Sequence, residues 1–106
     1  MDRVSRRRRR YRSRIQIVAD ILEVTKGGSR KTRIMYLGNL SFDLVKKYLD
    51  LLLNLGLLEA KNNDEKTYHA TEKGRRFLEE FSDFQGHLEI VQAKKRILES
   101  SLSNTP

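Results

Sequence analysis

No cysteine occurs anywhere in the chain, which excludes a disulfide framework and a thiolate metal site and is compatible with a reducing compartment. Long apolar runs are missing too. The most apolar stretch, Leu51 to Leu58, is interrupted by Asn54 and Gly56, far short of the roughly 20 residues needed to cross a bilayer. No apolar segment follows the arginine-rich start, so no secretory signal is expected, and Asp2 together with sparse apolar residues argues against a transit peptide. Histidine is scarce. His69 and His87 lie on different predicted elements without metal-ligand spacing and read as surface residues. Gly27-Gly28 lacks the following Gly-Lys-Ser of a phosphate loop, and Glu79-Glu80 are helix neighbours that point different ways. With no nucleophile paired to a base, the chain reads as non-enzymatic, with no metal and no cofactor expected.

What is present is positive charge, unevenly placed. The 106 residues suit one compact domain with appendages, and 22 Lys and Arg against 14 Asp and Glu give a net charge of +8, which favours polyanionic partners. Residues 1–14 hold eight Arg and one Asp, so all but +1 of that charge sits in the first few turns of chain. The one other basic block, residues 26–47, carries +5. Residues 1–12 are too charged to bury anything and are expected to form a disordered basic tail.

From Ser13, a helix N-cap, Ile15, Val18, Ile21 and Leu22 recur at helical spacing until Gly27-Gly28 stops the pattern. A short second helix is expected over Thr32–Leu37, with Ile34, Met35 and Leu37 as apolar contacts and Gly38-Asn39 ending it. Ser41 caps a third helix reaching about Leu55, with Gly56 as its C′ residue. Leu57–Lys61 and Lys66–Ala70 read as a hairpin around the turn Asn62–Glu65. Thr71 caps a last helix that has Glu72 in its first turn.

That last helix carries the most regular pattern in the chain. Phe77, Phe81, Phe84, Leu88, Val91, Lys95, Leu98 and Leu102 alternate spacings of four and three, the seam of a coiled coil. Its first two turns can cover the domain's own core. A helix of about 30 residues is about 45 Å long, more than one small head can cover, which leaves the rest of the seam for a second copy. Glu79, Glu80, Asp83 and Glu89 make its first half acidic, whereas Lys94, Lys95 and Arg96 form a later basic cluster, so an antiparallel pair sets unlike charges together. The predicted organisation is a tail over 1–12, a head over 13–75, a dimerisation helix over 76–102 and a disordered end over 103–106.

Helix, helix, turn, helix, hairpin, helix is the order of a winged helix-turn-helix, in which the third helix enters a major groove and the hairpin flanks it. The fold class expected is mainly α (α+β). With Val45, Tyr48, Leu49 and Leu52 facing inward, Ser41 caps a helix whose other side presents Phe42, Asp43, Lys46, Lys47 and Asp50. The lysines can meet phosphates or guanine edges, Phe42 a thymine methyl and Asp43 a cytosine amino group. A solvated charged face is the alternative. Arg30, Lys31, Thr32 and Arg33, at the start of the second helix, are candidate phosphate contacts, as are Lys61 and Lys66 beside the wing turn, where Asp64 and Glu65 oppose them.

In the tail, Arg6, Arg7, Arg8, Arg9, Arg10 and Arg12 can track either nucleic acid by charge, or serve as an address signal or solubilising tail. Five neutralised phosphates on B-DNA would give a log–log salt slope of about −4.5.

The segments "KTRIMYLGNLSFDLVKKYLDLLLNLGLLE" and "TEKG", with the long C-terminal seam, resemble the archaeal Sso-ten-a family of DNA-binding proteins over about Arg14 to Leu102. The resemblance implies a winged-helix head dimerised through an antiparallel coiled coil, acting in transcription regulation or chromatin architecture, cytoplasmic and nucleoid-associated. Double-stranded DNA and a second copy of the chain are its implied partners, with no membrane. The arginine run is not part of that resemblance. An RNA-binding or protein-interaction scaffold is the alternative function.

Overall fold

In the computed structural model, residues 12–103 are described. They form, in order, α1 (Arg14–Val24), α2 (Lys31–Leu37), α3 (Phe42–Asn54), β1 (Leu58–Asn62), β2 (Lys66–Ala70) and α4 (Glu72–Leu102). This is a winged helix-turn-helix with a long C-terminal helix.

Local chemistry sets the boundaries. Three hydroxyl oxygens each accept from the amide three residues on: Ser13 from Gln16 at 3.1 Å, Ser41 from Leu44 at 3.2 Å and Thr71 from Gly74 at 3.1 Å. α2 and α3 stop alike, each with a residue in the left-handed region after the C-cap. At α2 that residue is Asn39 (φ 53°), and the Leu40 amide reaches back to the Met35 carbonyl at 3.0 Å; at α3 it is Gly56 (φ 76°), and Leu57 reaches Leu52 at 2.9 Å. Both returning leucines turn inward and are buried.

The core gathers Ile17, Val18, Ile21 and Leu22 from α1, Ile34 from α2, Val45, Tyr48, Leu49 and Leu52 from α3, and Tyr68 and Ala70 from β2. The predicted inward face of α3 is therefore the observed one. In α2 the apolar contacts are Ile34 and the half-buried Met35; Leu37, expected to join them, is 49% exposed. Leu37 is the last residue of this seven-residue helix.

β1 and β2 are antiparallel, with Leu58 opposite Ala70 and Asn62 opposite Lys66. A third element, with no local signal in the sequence, lies on the free edge of β2: Ser29 and Tyr68 exchange both backbone hydrogen bonds at 2.8 and 3.0 Å. Gly28 (φ 90°) makes the approach, and a β-carbon there would lie 2.3 Å from the His69 ring.

The Thr-Glu-Lys-Gly junction joins α4 to the end of α3. The Thr71 hydroxyl donates to the Gly56 carbonyl at 2.6 Å, and Lys73 Nζ donates to the Leu55 carbonyl at 2.7 Å. A cation thus sits at the negative end of α3. Gly74 leaves room for the Leu57 carbonyl, 2.4 Å from where a β-carbon would be.

Beyond this junction α4 packs on α1 and then runs out of the head, giving the molecule a longest dimension of 67 Å. Phe77 and Leu78, in the first two turns of α4, rest against the core. No helix among the described residues is long and apolar enough to cross a membrane.

Candidate nucleic-acid interface

Burial of Val45, Tyr48, Leu49 and Leu52 fixes the rotation of α3 and turns Phe42, Asp43, Lys46, Lys47 and Asp50 outward, all of them exposed. Phe42 stands at the start of the helix, 61% exposed, with Lys31 Nζ of α2 positioned 4.2 Å from its ring centre. That contact joins the two elements of the motif at their N-terminal ends. The face is mixed in sign, with Lys46 and Lys47 flanked by Asp43 and Asp50.

Along α2, Thr32 and Arg33 are exposed and border an open groove against the wing, shared with Tyr36, Glu65 and Thr67. Tyr36 is 82% exposed and was not among the predicted contacts. Its signal was available in the spacing: it follows Thr32 by four residues and Arg33 by three, on the side of α2 away from Ile34. Arg30 is engaged differently, since its Nη1 lies 3.0 Å from Glu65 Oε2 at the wing tip. Lys61 and Lys66 are both exposed on the wing, Lys66 Nζ standing 5.7 Å from the centre of the Tyr68 ring.

Arg12 differs most from expectation. Read from sequence as tail, it is folded back onto the head, its guanidinium donating to Asp20, Gly38 and Asn39. The partners lie 8, 26 and 27 residues away, beyond any local pattern. Arg6, Arg7, Arg8, Arg9 and Arg10 lie outside the described residues. His69 contacts Thr67 Oγ1 through Nε2 at 2.9 Å, and no cluster of three or more potential metal ligands occurs among the described residues.

The seam divides in two. Phe77 and Phe81 are half-buried; with Ile15 of α1, Glu80 and Phe84 they line a shallow apolar groove, and the Phe81 and Phe84 rings lie 6.3 Å apart. Farther along, Leu88, Val91 and Leu98 are 43%, 60% and 67% exposed, Leu102 is 69% exposed, and Lys95 is exposed as well. Ile90 and Ile97, outside the predicted seam, are 55% and 65% exposed.

A winged helix-turn-helix family matches residues 11–89. An uncharacterised protein of Methanocaldococcus jannaschii is 36% identical over 91 residues, which cover 85% of this chain and 88% of that protein. Among solved structures, Sso10a-2, a DNA-binding protein from Sulfolobus solfataricus, superposes with a TM-score of 0.78 at 29% identity, covering 90% of this chain and all of that one. A MarR family transcriptional regulator from Silicibacter pomeroyi superposes with a TM-score of 0.58 at 19% identity over 88% of this chain and 72% of that one, a likeness of fold.

Proposed function

The chain belongs to the winged helix-turn-helix family, in its Sso-ten-a group, and from that premise and the geometry above we propose that it is a non-enzymatic protein that binds double-stranded DNA. The observation that carries the proposal is the N-terminal half of α3. Its cap and buried face hold it rigidly, and Phe42, Lys46 and Lys47 stand exposed, Phe42 against Lys31 of α2. In this reading α3 enters a major groove, Lys46 and Lys47 meet phosphates or guanine edges, and Phe42 packs on thymine methyls. Thr32, Arg33 and Tyr36 of α2 with Lys61 and Lys66 of the wing follow the backbone, and the arginines of the tail add phosphate contacts.

The likeness to Sso10a-2, described as a DNA-binding protein, supports this partner. Gel shifts of duplex DNA and duplex RNA at matched salt test it. DNA is expected to bind more tightly, and equal or tighter RNA binding would replace this reading with an RNA-binding one. Lys46→Ala with Lys47→Ala is expected to weaken DNA binding and to flatten the log–log salt slope by about 1.8, the share of two phosphate contacts.

The working form in this reading is a homodimer: two heads over residues 13–75, joined through residues 76–102 as an antiparallel coiled coil. Support comes from the exposure of Leu88, Val91 and Leu98 at regular spacing along a helix that leaves its own head. Two heads give avidity if both reach one duplex, or bridging if they reach two. These outcomes correspond to a regulator of transcription and an architectural protein of chromatin, and genome-wide occupancy separates them, sharp sites for the first and broad coverage for the second.

A further inference from the structure

Arg12 is held by both arms of its guanidinium. Nη1 donates to Asp20 Oδ2 at 2.6 Å, while Nη2 donates to the Gly38 carbonyl at 2.6 Å and the Asn39 carbonyl at 3.1 Å. Asp20 is in turn fixed by Gln16, whose side-chain amide donates to its other oxygen at 2.9 Å. The Arg12 side chain is 24% exposed and that of Asp20 31%. Gly38 and Asn39 are the turn between α2 and α3, where Asn39 holds its left-handed conformation. Two residues on, Arg14 borders α3 itself, lining a groove with Leu44, Lys47 and Leu51.

The segment that follows the arginine run is therefore fastened to the turn that launches α3 and to the flank of α3. Three N–H groups of Arg12 are committed to oxygen atoms of the head, and Asp20 offsets its charge. A planar fork suits this geometry, and a lysine could not span a carboxylate and two carbonyls.

We propose that Arg12 is a positioning residue for the basic arm, in place of the direct DNA contact suggested by its sequence. Its clip fixes residue 12 at the turn that launches α3, so that an arm continuing from that point and α3 can meet one duplex. The inference rests on the DNA-binding reading above. An anchored arm has a high effective concentration at the phosphates next to α3; releasing residue 12 lengthens the tether and removes its aim.

Asp20→Ala in the full chain separates the alternatives by sign. The substitution keeps every arginine and removes a negative charge, so a general electrostatic effect, or an Arg12 freed to contact phosphate, would tighten DNA binding. The clip requires the reverse: binding to a mixed-sequence duplex about five- to tenfold weaker, with a flatter salt slope, because an arm is displaced. Arg12→Lys, which retains charge and loses the fork, is expected to follow Asp20→Ala. In a full-length chain with Arg6 to Arg10 changed to Gln, Asp20→Ala should weaken binding no further. All comparisons are made where the circular dichroism of each variant equals that of the wild type. Unchanged or tighter binding by Asp20→Ala overturns the proposal, as does equal weakening with and without the arm arginines, which would mean that the clip acts on α3 alone. Failure of the wild-type chain to bind duplex DNA would instead remove the DNA reading itself.

Discussion

An alanine methyl at position 74 would lie 2.4 Å from the Leu57 carbonyl oxygen and 3.1 Å from Leu22 Cδ2, whereas one at position 86 would meet nothing in the chain within 4 Å. The same substitution should therefore change sign between the two sites. Gly74→Ala must push α4 off the end of α3 and is expected to cost about 1–3 kcal/mol, the range for overpacking. Gly86→Ala, in an exposed helical turn, should add up to about 1 kcal/mol through helix propensity. Urea denaturation midpoints of the two variants check the pair. Glu65 offers a second contrast, since it holds Arg30 at the wing tip. Glu65→Gln releases that guanidinium and removes an acid from the proposed DNA face. A surface ion pair is worth about 0–1 kcal/mol, so duplex binding should tighten by at most about fivefold, as measured by fluorescence anisotropy at low salt. At this scale sequence shows which residues carry charge, but not whether the charge is already engaged. Lys46 and Lys47 stand open as their spacing implies, while Arg12 and Arg30 are tied to acids that only the tertiary fold brings near.

The elements were largely legible because their ends are set locally. Ser13, Ser41 and Thr71 each cap the helix that follows, and Gly56 takes the left-handed residue that closes α3. The Ser29 bridge and the lock between α3 and α4 were not, because each joins backbone groups distant in the chain, from Ser29 to Tyr68 and from Gly56 to Thr71. The lock gives Thr71 two tasks and Ser41 one. Ser41→Ala removes a cap and is expected to cost about 1 kcal/mol. Thr71→Ala removes a cap and the hydrogen bond that ties α4 to α3, so about 2 kcal/mol is expected. Thermal melts followed at 222 nm should rank the two in that order; equal losses would mean that the Gly56 contact adds nothing.

For the whole molecule, the proposed homodimer makes each head half of an assembly joined through the long helix. The proposed antiparallel seam is self-complementary about a point between Leu88 and Val91: Leu88 pairs with Val91 of the second copy, Phe84 with Lys95, Phe81 with Leu98 and Phe77 with Leu102. This register sets the one charged seam residue against an aromatic face, a favourable cation–π partner. It also brings the basic cluster at Lys94 to Arg96 level with Asp83, and the distal leucines to the groove formed by Ile15, Phe77, Phe81 and Phe84. The absence of cysteine makes single-site spin labelling clean. In this register Glu89→Cys labels lie near the dyad, separated by roughly the 8–10 Å between packed helix axes plus the reach of the labels. Ser101→Cys labels fall at the level of Leu78 in the second copy, about 35 Å apart along the axis at 1.5 Å per residue. A parallel pair would bring both sets equally close, and a monomer would give no intermolecular distance at all. The pattern of near at 89 and far at 101 is thus specific to two heads held at opposite ends of one rod. In the proposed dimer, that separation determines whether the two α3 helices and their arms reach along a single duplex or across to another.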